Sequence, residues 1–269
     1  LRATGSDARL VAKIERSEAI PALKEIILAS DVVMVARGDL GVEVGYAQLT
    51  GLQKRIIEMA RGLDRVTITA TQMMESMIHS PVPTRAEVSD VANAVLDGSD
   101  AVMLSGESAV GKYPVRAVQA MAEVIEGAEK YQFARRKDFD WSARQVELVD
   151  QAIAHAAMFT TGQRKVRAIV ALTESGSTPL WMSRIRSDIP IYAFTPHEAT
   201  QRRVALYRGV YPVPFNPQQT DTGMLHKAIF WELLERARLN EGDEIILTQG
   251  ELAGVSGSTN TMKLLEVHV

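Results

Sequence analysis

DVVMVARGDLGVEV, Asp31 to Val44, sets the reading of the first half of this 269-residue chain. Its apolar run, Val32 to Ala36, reads as a buried strand, and the polar triplet Arg37-Gly38-Asp39 follows it at once. The same order recurs three more times. Leu10 to Ile14 ends on Lys13 and Glu15, Val66 to Ala70 is followed by Thr71-Gln72, and Ala101 to Leu104 by Ser105-Gly106-Glu107. Amphipathic stretches separate these runs, and that alternation predicts strand-helix units on a parallel sheet.

The intervening helices carry their own signals. Ser17 is expected to cap a helix bearing Ile20, Leu23, Ile26 and Ile27, with Pro21 in its first turn. A second helix is expected over Gln48 to Arg61, stopping at Gly62. Thr84 with Glu87 forms a capping box for a helix through Val88, Val91 and Val95 that ends before Asp97-Gly98. Pro114 suits the first turn of a fourth helix through Val118, Met121 and Ile125.

The polar stretch 131–145 reads as a connection, dividing the chain into 1–130 and 146–269. The second part alternates again. Helical periodicity over Val146 to Met158 precedes strands at Val166 to Leu172, Ile189 to Phe194, Val210 to Val213, Glu244 to Leu247 and Lys263 to Val267. Helices are expected at Pro179 to Arg186, Glu198 to Leu206 and Thr222 to Ala237.

Composition narrows the function. The chain is 46% hydrophobic, enough for two cores, and its net charge of −3 gives no basic field for a nucleic-acid partner. It has no cysteine, so any metal must be held by oxygen or imidazole and no disulfide framework exists. That fits a cytoplasmic protein. No apolar run approaches a membrane span.

The polar residues of the first four units all fall at carboxyl ends of strands, where ligands bind in parallel barrels and open α/β sheets. Lys13 and Glu15 are two apart and point to the same side of a strand. Glu15 and Asp39 are hard oxygen donors suited to Mg²⁺ or Mn²⁺. A lysine beside such a metal can neutralise charge on a phosphoryl group or an enolate. Gly38 lets the backbone approach an anion, and the amides of Gly38 and Asp39 can open an anion nest. Taken singly, each feature has an ordinary alternative as an ion pair or a turn; their agreement on one sheet edge favours a catalytic face.

LVAKIERSEAI (Leu10 to Ile20), the opening stretch Asp31 to Val44, the long segment from Ala70 to Pro114 and VSGSTNT (Val255 to Thr261) together resemble the pyruvate kinase family, of bacterial type. The resemblance implies the second half of a (β/α)8 TIM barrel followed by a separate α/β effector-binding domain. It implies phosphoryl transfer from phosphoenolpyruvate to ADP, giving pyruvate and ATP in glycolysis, with Lys13 and Thr71 catalytic. Glu15 and Asp39 match metal ligands; Gly38, Asp39 and Thr71 match substrate-binding positions; Arg37, Ser105 and Glu107 match supporting positions behind them. K⁺ is expected of the family, but its ligands do not match residues of this chain. A homotetramer is also expected.

The match lacks the family's first four barrel strands and the chain starts at Leu1, so the resemblance implies an N-terminally incomplete chain that is inactive alone. In the second domain, Thr173, Ser175, Gly176, Ser177 and Thr178 follow a strand and precede a helix, where hydroxyls and amides can surround a phosphate. The loop Gln249 to Thr261 would face them, and it carries Glu251 and no basic residue. Members of the family that respond to fructose bisphosphate generally bring an arginine and a tryptophan on this loop, so the resemblance implies an allosteric activator with a single phosphate, a sugar or nucleotide monophosphate. Two other readings stand beside this one: another metal-dependent barrel that handles an enolate, and a non-catalytic effector-binding fragment.

Overall fold

The computed structural model describes residues 5–6, 8–134, 146–219, 222–237, 239–251 and 254–268. It divides into two compact units, Leu1–Arg136 and Lys137–Val269.

The first unit is built on four parallel strands, β1 (Val11–Ile14), β2 (Val32–Ala36), β3 (Val66–Ala70) and β4 (Ala101–Met103), in the spatial order β1-β2-β3-β4. Strands that follow one another in space as in sequence never reverse direction of winding, which is how a barrel grows and how a doubly wound sheet does not. The register pairs Val11 with Val32, Val32 with Val66 and Ile68 with Ala101.

Side chains therefore sort onto two faces. Ile14, Val33 and Val35 pack with Leu23, Ile27, Ile56 and Ile57 of the helices α1 (Leu23–Leu28) and α3 (Tyr46–Gly62) into one core. Lys13 is in register with Met34, and Met34 with Ile68, on the opposite face. On β3 the helix-facing positions are Thr67 and Thr69, both fully buried. They stay polar because each hydroxyl is answered: Thr67 by Asp100 Oδ2 at 3.3 Å and Thr69 by Ser99 Oγ at 2.6 Å.

Several expected elements shift. Ser17 does not cap a helix: it starts a 3-10 turn, Ser17–Ala19, and its hydroxyl donates to Glu43 Oε2 at 3.1 Å, so the α-helix begins only after Pro21. Arg37-Gly38-Asp39 is no loop but the first turn of a helix, α2 (Arg37–Val44), which Gly45 at φ +82° separates from α3. The capping box forms as expected: Glu87 N–H donates to Thr84 Oγ1 at 3.3 Å and Thr84 N–H to Glu87 Oε2 at 2.7 Å, opening α4 (Arg85–Asp97). Past β4 come the short α5 (Gly106–Ala109) and the long α6 (Pro114–Ala134), with Pro114 at its first position. The expected connection 131–145 thus begins within a helix, and its residues 135–145 lie outside the described residues.

The second unit opens with α7 (Val149–Gln163), then β5 (Ala168–Leu172), α8 (Ser177–Ser183), β6 (Ile191–Thr195), α9 (Glu198–Val204), β7 (Val210–Pro214), α10 (Leu225–Ala237), β8 (Glu244–Gly250) and β9 (Thr259–Glu266). The sheet order is β7-β6-β5-β8-β9, parallel except for the β8–β9 pair. The expected loop from Gln249 shortens accordingly, because β8 runs to Gly250 and β9 starts at Thr259. Pro212 and Pro214 lie on the edge strand β7, where missing amides blunt further pairing. The chain runs outward from β5 to β7, then returns to the other side of β5, so a topological switch point lies between β5 and β8. Among the described residues no helix is long and apolar enough to cross a membrane.

Candidate functional site

The carboxyl ends of β1 to β3 bring the expected residues together. Lys13 leaves β1 on the face away from α1 and α3, and its ammonium meets two carboxylates: Glu15, just past the strand, and Asp39 at 3.3 Å in the first turn of α2. Hydrogen bonds donated first to Glu15 and then to Asp39 push the Lys13 ammonium above the ordinary lysine value. All three are solvent-accessible, with Asp39 the most open at 62%. Two carboxylates that share one ammonium converge within reach of a single cation. Mg²⁺ is typically held by one or two protein carboxylates with water and substrate oxygens completing the shell, so Glu15 and Asp39 fit it, or Mn²⁺. Among the described residues no group of three or more His, Asp or Glu forms a closed metal cage.

Beside this cluster stands Thr71. It and Gln72 have φ values of +66° and +53°, the left-handed region that a β-branched residue rarely enters. Thr71 Oγ1 accepts the Gly38 amide at 2.8 Å and donates to Ala70 O at 2.7 Å. Arg37 is 6% exposed, and its guanidinium donates to Thr71 O at 3.3 Å, Gln72 O at 2.6 Å and Asp90 Oδ2 at 3.2 Å. Burial pushes Arg37 below its ordinary value, opposed by Asp90. A Cβ at Gly38 would meet Thr71 Oγ1 at 3.4 Å, an ordinary van der Waals contact.

At the end of β4, Glu107 is buried and its carboxylate accepts the amides of Met74 and Ser105. Ser105 is exposed and shapes the turn through its carbonyl, which takes the Ala109 amide at 3.0 Å. Sequence reasoning did not find the strain at Thr71-Gln72 or the role of Asp90, because neither a positive φ at Thr nor a partner 53 residues away has a local signature.

In the second unit a cavity of about 290 Å³ opens at the switch point between β5 and β8. Thr173, Ser175, Ser177 and Thr178 line one side, and Ser258 and Thr259 the other. The two loops do face each other: Thr178 Oγ1 lies 3.0 Å from Thr259 Oγ1. Thr173 Oγ1 accepts the Gly176 amide at 2.9 Å, and Gly176 sits at φ +83° with Val204 Cγ1 only 2.7 Å from where a Cβ would stand, so no other residue fits that turn. Glu174 also lines the cavity; its carboxylate takes the Gly254 amide at 3.1 Å and pairs with His197 at 2.5 Å, contacts the sequence reading missed. Among the described residues no Lys or Arg lines the cavity, while Glu174 and Glu251 do.

A family profile described as pyruvate kinase, barrel domain, matches residues 1–118, and one described as pyruvate kinase, alpha/beta domain, matches residues 151–265. The chain is 52% identical over 270 residues to pyruvate kinase II of Salmonella typhimurium, covering 99% of this chain and 56% of that protein. It is 50% identical over 252 residues to a pyruvate kinase of Haemophilus influenzae, covering 91% and 52%, and 38% identical over 268 residues to one of Thermotoga maritima, covering 99% and 56%. The chain spans about half the length of the curated relatives it matches.

Proposed function

This chain belongs to the pyruvate kinase family, and from that premise we propose that it supplies the phosphoryl-transfer site and an effector domain of an enzyme converting phosphoenolpyruvate and ADP to pyruvate and ATP. The observation that carries the reading is the Lys13 ammonium set between the Glu15 and Asp39 carboxylates, beside Thr71 and the Gly38 amide.

In this reading a divalent cation bound by Glu15 and Asp39 supplies charge neutralisation for the substrate's oxygens. Lys13 stabilises negative charge as the bond from phosphorus to the enol oxygen breaks and the bond to the terminal ADP oxygen forms, and then the enolate left behind. The Asp39 amide, in the first turn of α2, holds the substrate carboxylate; the Gly38 amide already donates to Thr71 Oγ1 and reaches the carboxylate only by leaving that bond. Thr71 places a hydroxyl at the face where a proton reaches the enolate carbon to give pyruvate. Arg37, Ser105 and Glu107 support these residues from behind. Potassium is expected to act in the same enzyme through residues other than those assigned here.

The second unit is read as the effector domain, joined to the first through residues 131–145. Its hydroxyl-lined cavity, which no described Lys or Arg lines, favours an activator with one phosphate over one with two, because Glu174 and Glu251 would repel a second dianion. A homotetrameric, cytoplasmic enzyme completes the proposal. Among the described residues the sheet of the first unit has two open edges, β1 and β4, so turnover is expected where further strands close it and not of residues 1–269 expressed by themselves.

The test is a coupled assay of pyruvate formation from phosphoenolpyruvate, ADP, Mg²⁺ and K⁺ by the full-length protein. Turnover that depends on the divalent cation and vanishes in Lys13→Met supports the proposal; a purified, folded protein without such turnover overturns it.

A further inference from the structure

Glu107 is a buried carboxylate, 3% exposed, with an arrangement unlike that of Glu15 or Asp39. Both of its oxygens are occupied by backbone amides, Oε1 by Met74 at 3.0 Å and Oε2 by Ser105 at 2.8 Å. Among the described residues no Lys or Arg pairs with it. A charged group is costly to bury unless hydrogen bonds replace its water, so a carboxylate used only to join two amides indicates that the joined segments must not move.

One of those segments is the strained turn. Met74 lies three residues after Thr71, and the left-handed φ values at Thr71 and Gln72 persist only if their surroundings over-determine them. Arg37 grips the carbonyls of Thr71 and Gln72 from one side. Glu107 grips the amide at the far end of the same turn and ties it to the start of α5. Met73, Met74 and Met77, all fully buried, fill the space beneath, and flexible methionines fix a backbone poorly without such polar anchors.

We infer that Glu107 is a positioning residue for Thr71: with Arg37 it forms a two-sided clamp that holds the Thr71–Met74 turn in its strained conformation, and it does not carry protons itself. Each of its oxygens already accepts a backbone amide, which fits a holding role. This inference rests on the reading of Thr71 as a substrate-contacting hydroxyl.

The experiment uses the full-length protein. Glu107→Gln keeps the size but turns one acceptor into a donor facing an amide N–H. It lowers kcat at least tenfold, while Mn²⁺ affinity and the KM for phosphoenolpyruvate stay within about threefold and the pH-rate profile keeps its midpoints. Gln72→Gly, at an exposed position where glycine adopts the left-handed conformation without strain, is then added and restores kcat at least threefold. Near-normal kcat in Glu107→Gln, a loss that Gln72→Gly leaves untouched, or a displaced midpoint in the pH-rate profile each overturns the inference, the last by making Glu107 a proton-transfer group. If Glu107→Gln does not fold, Glu107→Asp and both substitutions in the Gln72→Gly background are measured; failure of all of them to fold also overturns it, since the residue would then serve stability alone. Wild-type protein without turnover sinks the functional reading and this inference with it, whereas an active wild type with an unaffected variant sinks only the inference.

Discussion

Thr71 Oγ1 accepts the amide hydrogen of Gly38 at 2.8 Å, joining the end of β3 to the first turn of α2 through one hydroxyl. The same oxygen donates to Ala70 O at 2.7 Å, so its hydrogen and one of its two lone pairs are committed and the other lone pair is left for a ligand. A group placed this way is oriented before anything binds, and preorganised polar groups contribute most to charge stabilisation in a site.

Thr71→Val keeps the shape and removes both bonds. Leaving a part-buried amide without its partner costs about 1 kcal/mol or more, and valine tolerates a positive φ no better than threonine. The expected result is a melting temperature lower by a few degrees and turnover lower by about tenfold or more, with Thr71→Ser close to wild type in both. Scanning calorimetry and a coupled assay check this; equal behaviour of Val and Ser would remove the hydroxyl from the site.

Glu15→Gln and Asp39→Asn each take one formal charge from a two-carboxylate site, and a hard divalent cation depends on that charge. Each is expected to weaken Mn²⁺ binding by about tenfold or more. Titration of Mn²⁺ followed by electron paramagnetic resonance reads the affinity directly, without turnover. Unchanged affinity in both variants would remove the metal assignment.

Lys13→Met is expected to separate the two properties. Its charge matters most where negative charge moves in the transition state, so kcat should fall about a hundred- to a thousandfold, while Mn²⁺ affinity holds or rises as a competing ammonium disappears. The pH dependence has a definite sign. The Lys13 value is raised by Glu15 and Asp39, so its charge is complete throughout the neutral range and is lost only as pH rises past the ordinary lysine value. A wild-type rate profile with a limb near neutrality must therefore come from another group.

The strands were legible because buried parallel strands are short apolar runs: Val32 to Ala36 and Val66 to Ala70 form to the residue. Thr84 and Glu87 were legible because a capping box lies within four residues. Lys13, Glu15 and Asp39 could be placed on one edge from strand ends alone, and they meet there. What could not be read is set at long range. Ser17 fits a helix cap until Glu43 competes for its hydroxyl, and Arg37-Gly38-Asp39 fits a turn until the helix that follows draws it in. The left-handed Thr71 has no local signal because Arg37 and Glu107 impose it.

Glu87 links the fold to pH. Burial alone would raise its carboxyl, but hydrogen bonds from Ser76 and Thr84 outweigh that and hold it below the ordinary glutamate value. A depressed value means that its stabilisation is complete above the unfolded-state value and is lost as pH falls through the folded one. Glu87→Gln should thus lower stability at pH 7 by about 1 kcal/mol, the usual size of a lost cap, and reduce the acid sensitivity of unfolding below about pH 4.5. Urea melts at a series of pH values test it; parallel curves for variant and wild type would show that Glu87 contributes nothing beyond its packing.

Thr173→Ala with Ser175→Ala addresses the second unit. Thr173 Oγ1 holds the Gly176 amide and Ser175 Oγ lies 2.8 Å from Ser177 Oγ, so both hydroxyls shape the rim of the cavity and neither belongs to the Lys13–Glu15–Asp39 cluster. An effector shifts an equilibrium only through its differential affinity for two states, and the hydroxyls contribute to that difference only when effector is bound. The double variant is therefore expected to need about tenfold more of a sugar or nucleoside monophosphate for half-maximal activation, with unchanged activity in its absence. Glu174→Gln makes the complementary case: removing a carboxylate from a cavity that no described Lys or Arg lines should raise the affinity for a bisphosphate more than for a monophosphate, since only the former brings a second dianion near that position. Activation curves with ribose 5-phosphate and fructose 1,6-bisphosphate separate the two effects. Curves that move in neither variant would place the effector elsewhere, and equal gains for both ligands in Glu174→Gln would show that this carboxylate does not discriminate by phosphate count.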